Sequence, residues 1–231
     1  MRGACIGCYL NTVSYTNGCV DMTPKSKSKM SEEELDRHHT KKMAKKKAAR
    51  DKIIASKTIE KGLLIVHTGK GKGKSTAAIG LVVRAIGNGM RIGIVQFVKG
   101  VWETGERLVL EAFPDQVVIK AMGEGFSWDT QDRKRDILAA KKAWATSKEM
   151  IASGEYDLVV LDELNIPLRY ENLDIKDIVA TLTARPKMLH VVVTGRNAKD
   201  ELLDAADLVT EMTMIKHPFR SGIKAQKGIE F

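Results

Sequence analysis

Downstream of residue 61, short apolar runs alternate with longer segments in which apolar residues recur at helical spacing. A short apolar run bounded by glycine or polar residues is typical of a buried strand. The predicted strands are LLIVHT, RIGIVQFV, QVVIKAM, YDLVVLDELN, MLHVVVTGR and DLVTEMTMI. The predicted helices are STAAIGLVVRAIGNG, GERLVLEAF, residues 131–153, IKDIVATLTA and AKDELLDAA. Because strands alternate with helices, the pattern predicts an α/β fold with a mostly parallel sheet and helices on both faces.

Residues 30–61 have a sparser apolar pattern, a thin stripe of Leu, Met, Ala and Ile residues. Ser31 and Glu34 have the spacing of a capping box, which predicts a helix over residues 31–60. With so few large apolar residues, we expect this helix to be held only weakly to a core. The predicted organisation is a disordered extension at residues 1–29, a basic N-terminal helical arm at residues 30–61 and an α/β domain at residues 62–231.

The net charge of +9 is concentrated in the arm. Residues 23–61 contain 13 Lys and Arg against 6 Asp and Glu, whereas the rest of the chain contains 25 against 23. A basic arm can bind nucleic acid or an anionic surface, but a solvated helix is the simpler interpretation. The nearly neutral α/β domain gives no reason to expect a nucleic-acid partner.

No apolar run approaches the ~20 residues that a membrane span needs, and the N-terminus lacks the apolar block of a secretory signal. We therefore expect a cytoplasmic protein without a membrane partner. The three cysteines, Cys5, Cys8 and Cys19, all lie in the predicted extension, and no further ligands complete a zinc site around the C-x-x-C pair. Met30 is a candidate for the natural start of the chain.

The first predicted strand ends in a glycine-rich loop, VHTGKGKGKSTAAIG at residues 66–80. Residues Gly73–Ser75 match the second half of the phosphate-binding pattern G-x-x-x-x-G-K-[ST]. The first glycine of that pattern would fall at the position of Thr68, and Gly69 follows one residue later. The chain therefore carries a shortened phosphate-binding loop.

This loop predicts a site for the triphosphate of a nucleotide. The N-terminus of the following helix offers free N–H groups to an anion, Lys74 supplies a positive charge, and Ser75 supplies a hydroxyl group for Mg²⁺. The predicted nucleotide-binding residues of the loop are Gly69, Lys70, Gly71, Lys72, Gly73, Lys74, Ser75 and Thr76.

Asp162 and Glu163 follow the apolar run LVVL, which is the form of a Walker B strand. We expect one of the two carboxylates to hold Mg²⁺ or Mn²⁺ together with Ser75. The alternative is an ordinary acidic helix cap after a strand. Ligands of parallel sheets bind at the carboxyl ends of the strands, so the loop, the acidic pair and the TGR motif at residues 194–196 should share one rim.

A phosphate-binding loop occurs in hydrolases, kinases and motors, so it does not define the reaction by itself. A nucleic-acid-dependent ATPase would fit a RecA-like strand order and the basic arm, but aromatic residues are too few (5%) for a base-stacking channel. A small-molecule kinase would need an arginine-rich lid, and the sequence contains no clear one.

The shortened loop TGKGKGKST occurs in one order with six further motifs, which are VQFVKG, GERLVLE, GFSWDTQDR, VVLDELN, ARPKMLHVVVTGR and KHPFRSGIKAQKGIEF. Together they resemble the ATP:corrinoid adenosyltransferases of cobalamin synthesis and salvage, whose loop has the form G-x-G-K-G-K-[ST]-T. The resemblance spans about residues 60–231 and leaves out the extension at residues 1–29.

The resemblance implies a RecA-like P-loop fold and a defined reaction. The 5′-deoxyadenosyl group of ATP would be transferred to the Co(I) centre of a reduced corrinoid, with release of triphosphate. It further implies that Arg84 joins the loop in binding ATP, that Lys74 takes part in catalysis, and that Glu163 holds the metal ion. Phe126 and Trp128 match aromatic residues that lie against the corrinoid and favour its reduction to Co(I).

The resemblance also implies partners. These are the corrinoid substrate, an electron-donating reductase or flavoprotein, and a second copy of the chain in a homodimer. The arm would correspond to a helix that can fold over the active site. The sequence does not distinguish among cobalamin, cobinamide and an a,c-diamide precursor as the corrinoid.

Overall fold

The computed structural model describes residues 31–98, 104–123 and 132–229 of the chain. Contacts divide the chain into two units, one up to Thr58 and one from Ile59 onwards. The first unit contains helix α1 (Glu32–Ala55), and the second contains the sheet and the remaining helices.

Helix α1 begins with the predicted capping box. The Ser31 hydroxyl accepts a hydrogen bond from the backbone N–H of Glu34, and the Glu34 carboxylate accepts one from the N–H of Ser31. None of the residues of α1 is buried, and its i,i+4 ion pairs are exposed, so they contribute little to stability. The helix is confirmed, whereas the boundary of the arm at residue 61 stays a prediction.

The second unit is built on six strands, β1 (Leu64–Thr68), β2 (Ile92–Gln96), β3 (Val117–Ala121), β4 (Leu158–Asp162), β5 (His190–Thr194) and β6 (Leu208–Glu211). They form one sheet in the order β3-β2-β4-β5-β1-β6, and every pair is parallel. Strand β5 therefore separates the loop strand β1 from the acidic strand β4. The predicted α/β fold with a parallel sheet is confirmed.

The helices of this unit are α2 (Lys74–Gly87), α3 (Gly105–Leu110), α4 (Arg133–Ala152), α5 (Asn165–Arg169), α6 (Ile175–Thr183) and α7 (Asp200–Ala205), followed by a 3₁₀ helix (Pro218–Ser221). The sequence pattern predicts all of them except α5 and the 3₁₀ helix, which are too short to show a helical period. Within the described ranges, no helix combines the length and apolar character needed to cross a bilayer.

Alternate residues of the strands face two separate cores. Leu64 of β1 packs in the core that contains Trp144 of α4 and Ile178 of α6. Its neighbour Ile65 packs in the opposite core, with Val82 of α2. Because helices cover both faces, the inner strands are apolar at nearly every position, which explains the continuous apolar runs in the sequence.

Arg185 joins segments at the amino ends of the strands. Its guanidinium group donates hydrogen bonds to three backbone carbonyl groups, including that of Gly62, and to the carboxylate of Asp207. Asp207 also accepts hydrogen bonds from the Lys61 ammonium group and from the N–H of Leu64. The bonds from Lys61 and Leu64 lower the pKa of the Asp207 carboxyl group, so it is charged at neutral pH. This network fixes the entry of the chain into β1 and β6.

We expect Arg185→Met to lower the free energy of unfolding by about 2–3 kcal/mol, because it leaves part-buried carbonyl groups and a carboxylate without their donor. Urea denaturation of the full chain measures this difference. Arg133→Met changes an exposed arginine at the start of α4 and should leave the midpoint unchanged. A midpoint of Arg185→Met equal to that of the wild type would contradict the importance of the network.

Candidate active site

The loop between β1 and α2 is fastened to the backbone of Met212, the residue that follows β6. The N–H of Met212 donates to the carbonyl of Thr68 at 2.9 Å, and the carbonyl of Met212 accepts from the N–H of Gly71 at 2.6 Å. A Cβ atom at Gly69 would lie 2.5 Å from the Met212 carbonyl oxygen, and one at Gly71 would lie 2.7 Å from it. These two glycines therefore allow the approach of the chain's own backbone, a role that the loop pattern alone does not indicate.

Gly73 forms the open face of the loop. It has a left-handed backbone conformation, with φ of +102°, and beyond its two neighbours in the chain no atom of the described residues lies within 4 Å of where its Cβ would be. Helix α2 begins at the next residue and supplies the N–H groups of its first turn and the positive end of its dipole. This face of the loop is therefore suited to an anion.

Lys74 brings a buried positive charge to this face. The residue is 6% exposed, and its ammonium group donates a hydrogen bond to the carbonyl of Gly71 at 2.5 Å. Burial lowers the pKa of Lys74, the nearby Glu163 carboxylate raises it, and the cations Arg196 and Lys72 lower it further. Burying a charge beside other cations is costly, so a bound polyanion would relieve that cost.

Thr194 orients both members of the acidic pair at the end of β4. Its hydroxyl group donates to Oδ1 of Asp162 at 2.8 Å and accepts from the N–H of Glu163, also at 2.8 Å. Glu163 has a left-handed conformation, with φ of +63°, which is unusual for a residue with a side chain. Asp162 is buried, whereas the side chain of Glu163 reaches the cavity described below.

A buried polar row crosses the sheet beneath the loop. Strand register places Gln96 next to Asp162, and His67 next to Thr194, all on the face that α2 covers. His67 is 6% exposed, and within the described residues neither of its ring nitrogens has a hydrogen-bond partner. Burial lowers the pKa of His67, so its imidazole is neutral at neutral pH.

A cavity of about 560 Å³ lies at the carboxyl ends of the strands, where the sequence predicts a common rim. Its walls come from the loop, α2, the start of α3, the acidic turn, the residue after the TGR glycine, and a turn near the C-terminus. The lining residues are Gly71, Lys72, Gly73, Lys74, Ser75, Thr76, Ile79, Gly105, Glu106, Glu163, Arg196, Gly228 and Ile229. The cavity thus combines three cations, two carboxylates and two hydroxyl groups.

The cavity brings together most of the predicted site residues, but not all of them. Gly69 packs behind the loop against the segment after β6, Lys70 is exposed outside the cavity, and Asp162 lies beneath it. Phe126 and Trp128 lie outside the described residues.

Arg84 is in the last turn of α2, about 15 Å along the helix from Lys74. It lines a different, mainly apolar cavity that includes Leu63, Leu158 and His190, at the amino ends of the strands. The expectation that Arg84 shares the site of the loop is therefore not supported by its position in this chain. Its ten-residue separation from Lys74 places it at the opposite edge of the sheet.

Four lining residues with side chains are absent from the sequence-based assignment, namely Arg196, Ile79, Glu106 and Ile229. Arg196 received no role there, although the sequence places the TGR motif to which it belongs on the common rim. Ile79 has the apolar character of an ordinary helix residue, and Glu106 and Ile229 follow no strand of the sheet. Their position depends on tertiary structure, which sequence pattern does not indicate.

A helix N-terminus behind a glycine loop, a buried lysine and a carboxylate at the end of the acidic strand β4 together define a P-loop nucleotide-binding domain. The sequence profile described as "ATP:corrinoid adenosyltransferase BtuR/CobO/CobP" matches residues 60–231. A second profile, described as "Cob(I)alamin adenosyltransferase N terminal", matches residues 30–54. The chain belongs to the ATP:corrinoid adenosyltransferase family, and the resemblance noted in the sequence is confirmed.

Individual relatives agree with this assignment. A corrinoid adenosyltransferase from Sinorhizobium sp is 57% identical over 201 residues, which are 86% of this chain and 94% of that protein. One from Pseudomonas aeruginosa is 51% identical and covers 86% of this chain and 98% of its own length. One from Escherichia coli (strain K12) is 43% identical and covers 78% of this chain and 91% of its own length. The match to the second profile extends the similarity to the arm, which contains none of the seven sequence motifs described above.

We expect Lys74→Met to weaken the binding of MgATP roughly 10- to 100-fold, because a charge-assisted contact with the phosphates is lost. The free energy of unfolding without ligand should not fall, because the substitution also removes a buried charge. Calorimetric titration and urea denaturation measure the two quantities. Lys142→Met, an exposed change on α4, is the control for both. If Lys74→Met lost stability as well as binding, Lys74 would instead have a mainly structural role.

We expect His67→Phe to flatten the dependence of stability on pH. Since the pKa of His67 is lowered in the folded state, the unfolded chain binds the proton more readily. Stability of the wild type should therefore fall as the pH drops below about 6.5, the ordinary pKa of histidine. Urea denaturation between about pH 7.5 and 5.5 would show a smaller slope for His67→Phe than for the wild type. The exposed substitution His38→Phe should keep the wild-type slope, and equal slopes for all three would contradict this account.

Proposed function

We propose that this chain transfers the 5′-deoxyadenosyl group of ATP to the Co(I) centre of a reduced corrinoid. The observation that carries the proposal is the cavity in which the shortened loop, Lys74, Glu163 and Arg196 meet, in a chain of the ATP:corrinoid adenosyltransferase family. In this reaction the cobalt–carbon bond to C5′ forms as the bond between C5′ and the α-phosphate oxygen breaks. The electron pair of that bond leaves with the triphosphate.

The charge distribution of the cavity supports this chemistry. Negative charge develops on the departing triphosphate, and preorganised cations and N–H groups stabilise such charge most when water is excluded. Lys72, Lys74 and Arg196 supply the cations, and the first turn of α2 supplies N–H groups. Co(I) brings its own electron pair, so the reaction needs no general base. The proposal is therefore in keeping with the phosphate-binding groups among the lining residues of the site.

The donor set fits Mg²⁺ or Mn²⁺ bound together with the triphosphate. Within the described residues, no group of three or more His, Cys, Asp or Glu side chains could hold a metal ion. Ser75 and Glu163 offer a hydroxyl and a carboxylate oxygen in the cavity, and the remaining ligands would be phosphate oxygens and water. Bound there, the ion would neutralise part of the triphosphate charge. Asp162, buried behind Glu163, would support the carboxylate turn.

Further parts of the proposal come from the family resemblance. Phe126 and Trp128 would lie against the corrinoid, a reductase or flavoprotein would supply the electron that gives Co(I), and the chain would act as a homodimer in the cytoplasm, where ATP is available. The ATPase and kinase alternatives are not favoured by the family match, which covers the whole α/β domain.

The test is anaerobic incubation of the full chain with ATP, Mg²⁺ and chemically reduced cobalamin. We expect the corrinoid spectrum to convert to that of a light-sensitive adenosyl form, with one equivalent of triphosphate released per corrinoid. Release of inorganic phosphate without a change in the corrinoid spectrum would overturn the proposal and favour an ATPase.

Trp128→Ala separates the roles of the two substrates in the same assay. It should keep the wild-type affinity for ATP and lose most of the adenosylation rate. Normal adenosylation by this variant would refute the role of Trp128 towards the corrinoid, and weaker ATP binding would place Trp128 at the nucleotide.

A further inference from the structure

The lining of the cavity contains two chemically different sets of side chains. One set is the cations Lys72, Lys74 and Arg196. Among the lining residues that the structure describes, only Ile79 and Ile229 have apolar side chains. A ligand that fills this cavity should therefore be a polyanion joined to a group with apolar faces.

Ile229 reaches the cavity from a turn near the C-terminus. Its N–H donates a hydrogen bond to the carbonyl of Gln226 at 3.2 Å, and Gly228 has a left-handed conformation with φ of +78°. Ile229 itself is 83% exposed, so the fold gains little from its side chain. An exposed isoleucine at the wall of a cavity is available to cover an apolar surface of a ligand.

Ile79 presents an apolar side chain from α2. It is partly buried and packs against the core that contains Val82. It lies five residues after Lys74, which corresponds to about 7.5 Å along the helix axis. In a nucleoside triphosphate the ribose likewise separates the base from the phosphates, so Ile79 is displaced from Lys74 in the sense that such a ligand requires.

We propose that Ile79 and Ile229 hold the adenine base, and that the turn Lys227–Ile229 makes the cavity selective for a triphosphate that carries a base. This inference rests on the proposed function, which makes ATP the ligand of the cavity. Adenine has two apolar faces, and covering them with aliphatic side chains is favourable through the hydrophobic effect. The corrinoid is larger than the nucleotide and would have to lie at the mouth of the cavity.

The test compares three probes by isothermal titration calorimetry with the full chain: MgATP, ribose 5-triphosphate, which lacks the base, and inorganic tripolyphosphate. Ile229→Ser should raise the Kd of ATP roughly five- to tenfold, since part of an isoleucine contact is lost. The Kd values of the two probes without a base should stay within about twofold of the wild type. Ile229→Leu, which keeps the apolar contact, should restore most of the affinity for ATP.

Ile215→Ser is the matched control, because it makes the same chemical change at a residue of the same segment that is 95% exposed and does not line the cavity. It should leave all three affinities unchanged. Equal weakening of all three probes by Ile229→Ser, or no weakening of any, would overturn the inference. None of these titrations requires adenosyl transfer, so a failure of the proposed reaction would be seen separately.

Discussion

The hydrogen bonds between the glycine loop and the backbone of Met212 connect the parts of the candidate active site. They join the end of β6 to the segment that leads into α2, and so they determine where Lys74 stands relative to the strand ends. The same backbone continues into the C-terminal segment, which returns to the cavity at Ile229. Loop, sheet and C-terminal turn are therefore positioned by one short stretch of main chain.

Around this contact, the site places polar groups where apolar packing would stabilise the fold more. Burial lowers the pKa of Lys74, and the cations Arg196 and Lys72 lower it further. His67 is buried without a protein partner among the described residues. Thr194 uses a single hydroxyl group to hold Asp162 beneath the cavity and to fix the backbone of Glu163 at its edge. Groups that lower stability in this way are common where a protein is organised for a ligand instead of for its own packing.

The sequence predicts the strands, the longer helices and the common rim, because apolar runs and helical periods are local properties of the chain. It does not reveal α5 (Asn165–Arg169), which has too few residues to show a period. It places Arg84 with the loop, although the length of α2 carries that residue to the opposite edge of the sheet. It does not indicate that the Met212 backbone lies close to Gly69, because an approach by a residue far along the chain has no local pattern.

The spacing of Gly69 and Gly71 around a main-chain group of Met212 has an evolutionary consequence. An insertion or deletion in the loop would displace those glycines from their partner unless the segment after β6 changed as well. The two segments stand near opposite ends of the α/β domain in sequence, yet their lengths are not independent. We therefore expect members of the family to gain or lose residues at both places together, so that loop length and C-terminal length covary across the lineage.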